Sequence, residues 1–112
     1  MTRAIEAAYA AISAVPTFIN ATGTTTPVVI AASSRPGGIG GGIRRMRVSN
    51  VGTATGGIVF ALSSDADSLI TSQTIATAMQ IAAGGTEYLL VSAGLKVGYV
   101  GATTFSIMIS DV

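Results

Sequence analysis

Few side chains in this chain of 112 residues could perform catalysis, because histidine and cysteine are both absent. Their absence removes the commonest general base, the commonest zinc ligands and the cysteine nucleophile. The only two acids that lie close together in the sequence are Asp65 and Asp67. With Glu87 they could act as the carboxylates of a hydrolase, but Asp is also typical of turns. We interpret residues 65–67 as a polar loop and expect no catalytic residue and no enzymatic activity.

The sequence also lacks the known patterns for binding a cofactor or a metal ion. Residues 37–42 are rich in glycine, yet a G-x-G-x-x-G motif that starts at Gly38 would need glycine where Ile43 stands. A calcium loop that starts at Asp65 would need glutamate at its twelfth position, where Ala76 stands. We therefore expect no cofactor and no metal, and we interpret the glycine-rich segment as a flexible loop.

The one cluster of basic residues consists of Arg44, Arg45 and Arg47. Such a cluster could contact nucleic acid or another anionic partner. No aromatic residue accompanies these arginines for base stacking, and the net charge of the chain is only +1, whereas phosphate binding needs several convergent basic side chains. We favour an inter-subunit salt bridge or a solvated strand face, and we expect no nucleic-acid partner.

The three tyrosines, Tyr9, Tyr88 and Tyr99, are the residues best suited to stacking on a ligand. Together with nearby loops, they could form a carbohydrate-binding face. Tyrosines serve equally as amphipathic side chains in a core or an interface, where they need no ligand. We favour this second interpretation.

The first 16 residues differ in pattern from the rest of the chain. They are rich in alanine and place Ile5, Tyr9 and Ile12 at helical spacing, and Pro16 ends the pattern. We predict a short helix or an extended arm over residues 1–16. Because an isolated helix of this length is marginal in water, we expect its apolar side chains to pack on the body of the domain or on a neighbouring subunit.

From residue 17 onward, β-branched runs alternate with clusters of Gly, Asn, Asp and Ser, which is typical of strands joined by turns. Side chains alternate clearly in several runs. Met46 and Val48 lie opposite Arg45 and Arg47, and Phe105, Ile107 and Ile109 share one face. We predict an all-β domain over residues 17–112, a small antiparallel β-sandwich of jelly-roll or immunoglobulin-like type. Its strands are expected at residues 26–32, 43–50, 57–63, 74–82, 86–92, 95–100 and 104–110.

The segment 69–81 admits two interpretations. Ile70, Thr74, Thr77 and Ile81 fall near a helical period. The same segment contains many β-branched residues, which favours a strand. We predict the strand.

The low proportion of charged residues indicates the kind of surface this domain has. Charged residues make up 10% of the chain, against roughly 25% in typical soluble domains. A surface with so little charge is suited to being covered by neighbouring subunits. No window reaches the ~18 apolar residues of a membrane-spanning helix, and the first residues, which include Glu6, lack the apolar run of a secretory signal. We expect assembly into an oligomer, and we expect no membrane association.

Three segments of the chain, residues 47–53, 76–89 and 95–104, have distinctive turns and strand edges. The first is a strand that ends in an N-x-G-T turn, the second leads into a strand through the sequence A-A-G-G-T-E-Y, and the third is a hairpin around a turn of small residues. In these segments the chain resembles small virion proteins of tailed bacteriophages.

The resemblance implies a β-sandwich that packs on a capsid, at a head vertex or in the tail, as a decoration, cement or accessory subunit. We therefore expect a non-catalytic structural protein located in the virion. Its expected partners are other copies of itself, as a trimer or larger ring, and other virion proteins such as the major capsid protein. The residues expected at these interfaces are Ile5, Tyr9, Ile12, Arg44, Arg45 and Arg47.

An alternative function is a carbohydrate- or host-surface-binding module of a phage tail or head fibre. In that case Tyr88 and Tyr99 would contact the ligand. The resemblance concerns turns and strand edges, and it transfers no catalytic residue to this chain.

Overall fold

The computed structural model describes residues 17–32 and 42–111, which form eight strands, one α-helix and one 3-10 turn. Helix α1 (Asp67–Thr71) and the 3-10 turn (Ile75–Thr77) lie between the fourth and fifth strands. The predicted arm of residues 1–16 lies outside the described residues, as does most of the glycine-rich loop. The strands are β1 (Thr17–Ala21), β2 (Val28–Val29), β3 (Ile43–Asn50), β4 (Gly56–Leu62), β5 (Met79–Ile81), β6 (Thr86–Ser92), β7 (Leu95–Val100) and β8 (Phe105–Asp111).

The strands form two antiparallel sheets of four. The first sheet has the order β1-β8-β3-β6 and the second the order β2-β7-β4-β5. Four of the strand pairs are those expected of one long hairpin whose turn lies between β4 and β5. They are β1–β8, β2–β7, β3–β6 and β4–β5. The pairs β3–β8 and β4–β7 form when this hairpin rolls up. This is the jelly-roll form of the β-sandwich, and the predicted fold class is confirmed.

The core lies between the sheets and is formed by every second side chain of the central strands. Phe105, Ile107 and Ile109 of β8 are buried, so the face predicted for them from the alternation is confirmed. The second sheet contributes Ile58 and Val97 to the same apolar cluster. Because side chains alternate along a strand, the remaining residues of each sheet form an outer face. The two outer faces are the surfaces of functional interest.

The structure departs from the sequence prediction around the helix. The strand predicted over residues 74–82 is wrong in its first half, because the 3-10 turn occupies that part and only Met79–Ile81 is a strand. The preceding helix is favoured by Ile70, which is completely buried. The 3-10 turn is fixed by the Thr74 N–H, which donates to Thr77 Oγ1 at 3.1 Å. Local hydrogen bonding thus outweighs the β-propensity of these threonines.

The first two strands also differ from the prediction. The sequence pattern misses β1, a strand of five residues. Of the strand predicted over residues 26–32, only Val28–Val29 pairs in a sheet. Pro27 precedes this pair and has no N–H to donate to a neighbouring strand.

The segments 47–53, 76–89 and 95–104 meet at Asn50, a buried residue at the end of β3. Its Nδ2 donates to the carbonyls of Ala54 at 2.8 Å and Ile81 at 2.9 Å. Its Oδ1 accepts from the Gly52 N–H at 3.1 Å and from the Thr103 hydroxyl at 2.6 Å. Both donors and both acceptor positions of the amide are therefore used. These segments hold the end of the sandwich together.

Candidate interaction surface

The outer face of the second sheet is covered by the segment between β4 and β5. Ile70 of α1 packs on Gly98, where an added Cβ would lie 2.1 Å from Ile70 Cγ2. Ala78 packs on Gly57, where an added Cβ would lie 2.5 Å from the Ala78 Cβ. Glycine at these two positions leaves the space that the covering segment fills. The chain thus buries the central part of this outer face by itself, while Val29 and Gln80 on its edge strands stay exposed.

The outer face of the first sheet has no comparable cover in the part of the chain that the structure describes, and we call it the open face. The strand registers place Phe18, Met108, Arg47 and Tyr88 side by side across all four strands. Phe18 is 67% exposed, Tyr88 71% and Leu90 69%. The apolar and basic residues of the open face are Phe18, Ile43, Arg45, Arg47, Tyr88, Leu90 and Met108, and its polar residues are Asn20, Ser49, Thr86, Ser92, Ser106 and Ser110.

The central part of the open face has the composition of a protein contact surface. Exposed apolar groups gathered on one face mark sites of interaction, whereas singly scattered ones do not. Aromatic residues, methionine and arginine are enriched in protein interfaces, and lysine, serine and acids are depleted. The row of Phe18, Met108, Arg47 and Tyr88 has this composition, whereas the next row, which contains Ser49 and Ser106, is polar.

The three arginines of the predicted interface divide between the two sides of β3. Arg44 points into the sandwich, where its Nε lies 3.4 Å from Asp111 Oδ1 and its Nη1 donates to the Ala31 carbonyl at 2.6 Å. Arg45 and Arg47 point to the open face, because side chains alternate along the strand. Arg44 is engaged within the chain, so only Arg45 and Arg47 are placed to meet a partner.

Arg47 lies at the centre of the open face, between Met108 on β8 and Tyr88 on β6. Its side chain is half-buried, and its Nε is enclosed without a hydrogen-bond partner in residues 17–32 and 42–111. A buried donor without an acceptor costs free energy. This arginine is thus the polar centre of an otherwise apolar row.

The acids Asp65 and Asp67 stabilise the loop before α1. Asp65 Oδ2 accepts from the Leu62 N–H at 3.0 Å. Asp67 Oδ1 lies 2.9 Å from Lys96 Nζ. Glu87, their proposed partner in a hydrolase, lies on β6 in the other sheet. Asp65 thus lies in the predicted polar loop, whereas Asp67 is the first residue of α1.

Within the described ranges, no three acidic side chains come together in a group that could hold a metal ion.

The two tyrosines of the proposed carbohydrate site lie in different environments. Tyr99 is in the core at 2% exposure, with its ring centroid 6.3 Å from that of Phe105. Burial raises the pKa of its hydroxyl from 10.0 to about 12. Tyr88 points to solvent on the open face. Because Tyr99 is enclosed, it cannot stack on a ligand, and the role proposed for it in the carbohydrate hypothesis is wrong.

An apolar cleft of about 290 Å³ opens beside β6, at the side of the sandwich where the two sheets separate. Phe60, Met79 and Leu95 line it from the second sheet, and the run from Leu89 to Ser92 lines it from β6. The cleft therefore exposes part of the apolar interior along one edge of the first sheet.

Only part of this surface is recognisable from the sequence. The arginines and Tyr88 were candidates, but Phe18, Ile43, Leu90 and Met108 were not. In β6 both faces are apolar, since Tyr88 and Leu90 point outward while Leu89 and Val91 point inward. Alternation of polar and apolar residues therefore gives no signal there. The signal that the sequence does contain is the uninterrupted apolar run of residues 88–91, which is typical of a strand with two apolar faces.

None of the helices in the described residues is long and apolar enough to cross a membrane.

The fold and this surface together define a jelly-roll sandwich with one covered and one open face. Compared with known protein families, curated proteins and solved structures, the chain has no match.

Proposed function

We propose that this chain is a non-catalytic structural subunit of a virus particle, where it decorates, cements or completes the shell through contacts with other subunits. Its partners are further copies of itself, in a trimer or a larger ring, and other shell proteins such as the major capsid protein.

The observation that most supports the proposal is the open face. Four large apolar side chains are exposed there, on the one sheet whose outer face the described chain leaves uncovered. A protein that worked alone would gain nothing from this arrangement, since exposed apolar patches promote association. Exposed apolar side chains on one face are expected in a subunit whose outer face is covered by a neighbour. The apolar residues concerned are Phe18, Ile43, Tyr88 and Leu90.

Two further features support an assembly subunit. Charged residues make up only 10% of the chain, which suits surfaces that neighbours cover. The jelly roll also occurs in viral capsid domains as well as in lectins and cupins. Since one fold hosts many functions, the virion part of the proposal depends on the similarity of residues 47–53, 76–89 and 95–104 to phage virion proteins.

The predicted arm adds a second contact to the proposal. Ile5, Tyr9 and Ile12 would pack on a neighbouring subunit, while Arg45 and Arg47 contact it from the open face. A variant that lacks residues 1–16 should then keep its fold, as judged by circular dichroism, and lose assembly. Equal assembly of the shortened and the full chain would remove the arm from the proposal.

The proposal is tested on particles released by the cells that produce this chain. Particles are purified on a density gradient, washed at high salt and examined by mass spectrometry. We expect the chain in a fixed ratio to the shell protein. Its absence from intact particles would overturn the virion assignment. As a control for specific binding, the open-face variant Phe18→Asp should leave the particle fraction, and Leu69→Asp, which changes the exposed side of α1, should stay in it.

A further inference from the structure

Strand β6 is the longest strand at an edge of either sheet. The other edge strands, β1, β5 and β2, have five, three and two residues, whereas β6 has seven. Proteins usually protect an edge with a short strand, a proline, a lysine or a bulge. β6 contains no proline and no lysine, and its only charged residue is Glu87. Glu87 near its start is the one protecting charge, so within the described residues the edge is unprotected from Tyr88 to Ser92.

The hydrogen bonds at the ends of the β3–β6 ladder show which backbone groups face the free edge. The Ala93 N–H donates to the Gly42 carbonyl, and the Asn50 N–H donates to the Gly85 carbonyl, each at 2.9 Å. In an antiparallel ladder every second residue bonds to the partner strand. Within the same register, the residues bonded to β3 are therefore Glu87, Leu89 and Val91.

The remaining residues of β6 direct their N–H and C=O groups away from β3. No other strand of the described chain pairs with β6 on that side. A row of unpaired backbone groups like this is a template for another strand. The row consists of Thr86, Tyr88, Leu90 and Ser92.

The side chains around this row are also apolar on both faces of the sheet. Tyr88 and Leu90 are exposed on the open face. On the inner face, Leu89 and Val91 line the apolar cleft, which opens along the same edge. A strand that paired with β6 would therefore meet backbone groups in the middle and apolar side chains on either side.

We propose that a second copy of this chain occupies the edge, with its own β6 antiparallel to the first, so that two four-stranded sheets join into one of eight strands. This inference deepens the proposed function and rests on it, since it names one contact between copies. The pairing is centred on Leu89, which lies opposite Leu89 of the second copy.

The sequence of β6 is complementary to itself in this register. Tyr88 lies opposite Leu90 of the other copy, so that both exposed apolar residues are paired at the centre of the contact. Glu87 lies opposite Val91, so no two like charges face each other. Thr86 and Ser92 meet at the ends. All four residues with unpaired backbone groups exchange hydrogen bonds, and the two clefts meet at the common edge.

This contact closes at two copies, because it uses the same patch on both subunits. A larger ring therefore needs a second contact, which the open face provides. Pairing of β6 with β1 of the next copy is the competing arrangement, and it would leave the two Leu89 residues apart.

Amide hydrogen exchange tests the pairing directly on the full chain. When the protein is diluted from a concentration at which it associates to one at which it is monomeric, the Tyr88 and Leu90 amides should exchange at least about tenfold faster. The Leu89 and Val91 amides bond to β3 and should remain protected at both concentrations. Fast exchange of Tyr88 and Leu90 in the associated protein would overturn the proposal.

The register is tested by a cysteine at its centre, since the chain has no cysteine of its own. Directly opposed residues that do not bond to each other lie about 4.5 Å apart at Cα, within the range of a disulfide. Leu89→Cys should form a covalent dimer on mild oxidation, while Thr53→Cys, in an exposed loop, should stay monomeric. An associated Leu89→Cys protein that yields no covalent dimer would overturn this register.

The contribution of the edge to the affinity of the dimer is tested by placing a charge there. Leu90→Lys should weaken the dimer at least about tenfold, which corresponds to about 1.4 kcal/mol. The control Leu62→Lys changes a similarly exposed leucine on β4 and should dimerise as the wild type does. Equal dimerisation of both variants contradicts the β6 contact.

The failure of this inference is distinguishable from the failure of the proposed function. A wild-type chain that stays monomeric and is absent from particles removes both. A chain that assembles or joins particles, while its Tyr88 and Leu90 amides stay unprotected, keeps the proposed function and removes only the β6 pairing.

Discussion

The two outer faces of the sandwich differ in what covers them. On the second sheet, α1 and the residues after it fill the space above Gly98 and Gly57. On the first sheet, the corresponding surface presents Phe18 and Tyr88 to solvent. Both sheets have the same strand number and the same core between them. The difference therefore lies in the connections and not in the sheets themselves.

This difference separates residues that stabilise the fold from residues available for contacts. Side chains on the covered face are buried within one chain, so their substitution should lower the free energy of unfolding. Side chains on the open face are exposed in the single chain, so their substitution should affect association alone. Each of the predictions below tests one side of this division.

The largest effect is expected at Ile70. Ile70→Ala removes a fully buried side chain from the covered face and should lower the free energy of unfolding by about 3 kcal/mol, as isoleucine truncations in cores do. Leu69→Ala is the control, because Leu69 lies on the same helix and is 50% exposed. Urea unfolding measures both. Equal small losses for the two variants would mean that α1 does not stabilise the second sheet.

The next effect is expected at Gly98. In Gly98→Ala the new methyl group would meet Ile70 Cγ2 at 2.1 Å, so the helix must shift, at a cost of about 2 kcal/mol for overpacking. Gly42→Ala places its methyl group where no atom of residues 17–32 and 42–111 lies within 4 Å, and it should be close to neutral. Thermal unfolding of the two variants is the measurement. A stable Gly98→Ala would show that the cover is loosely packed.

A smaller, pH-dependent effect is expected at Tyr99. Because burial raises its pKa to about 12, the folded state keeps a proton that the unfolded state loses above pH 10. Stability should therefore fall as pH rises from 10 to 12, by about 1.4 kcal/mol at pH 11. Tyr99→Phe should lack this loss. Urea unfolding at pH 9 and pH 11 measures it, with Tyr88→Phe as the control for an exposed hydroxyl.

The smallest effect on folding is expected on the open face. Tyr88→Ser should change the free energy of unfolding by less than about 0.5 kcal/mol, as exposed substitutions usually do. The same variant should reduce the mass of the assembled protein in light scattering. A large loss of stability at unchanged mass would mean that Tyr88 stabilises the fold and does not contact another copy, which contradicts the role assigned to the open face.

Much of the fold follows from the sequence, because alternation and turn residues are local signals. The strand prediction was correct to the residue for β3, β6 and β7, whose ends are marked by Asn50-Val51-Gly52, Gly84-Gly85 and Ala93-Gly94. It failed at α1, where the deciding contact is between Ile70 and Gly98. That contact joins residues distant in sequence, and no local pattern contains it.

The open face was less predictable for a related reason. Whether Phe18 and Tyr88 lie in one row depends on the registers of three strand pairs, which one sequence does not reveal. The alternation did place Arg45 and Arg47 on one face, opposite Met46 and Val48. By the same rule Arg44 belongs inside, and grouping it with the other two arginines by proximity in sequence overlooked this.

The hydrogen bonds of Asn50 bear on the order of events in folding. They join β3 to residues 31 and 53 positions further along the chain, so they form only after long loops have closed. We expect them to be absent from the folding transition state. Removing them in Asn50→Ala should then speed unfolding and leave the folding rate nearly unchanged. Asn50, which joins the segments 47–53, 76–89 and 95–104, would thus govern how long the folded domain persists, and have little influence on how fast it forms.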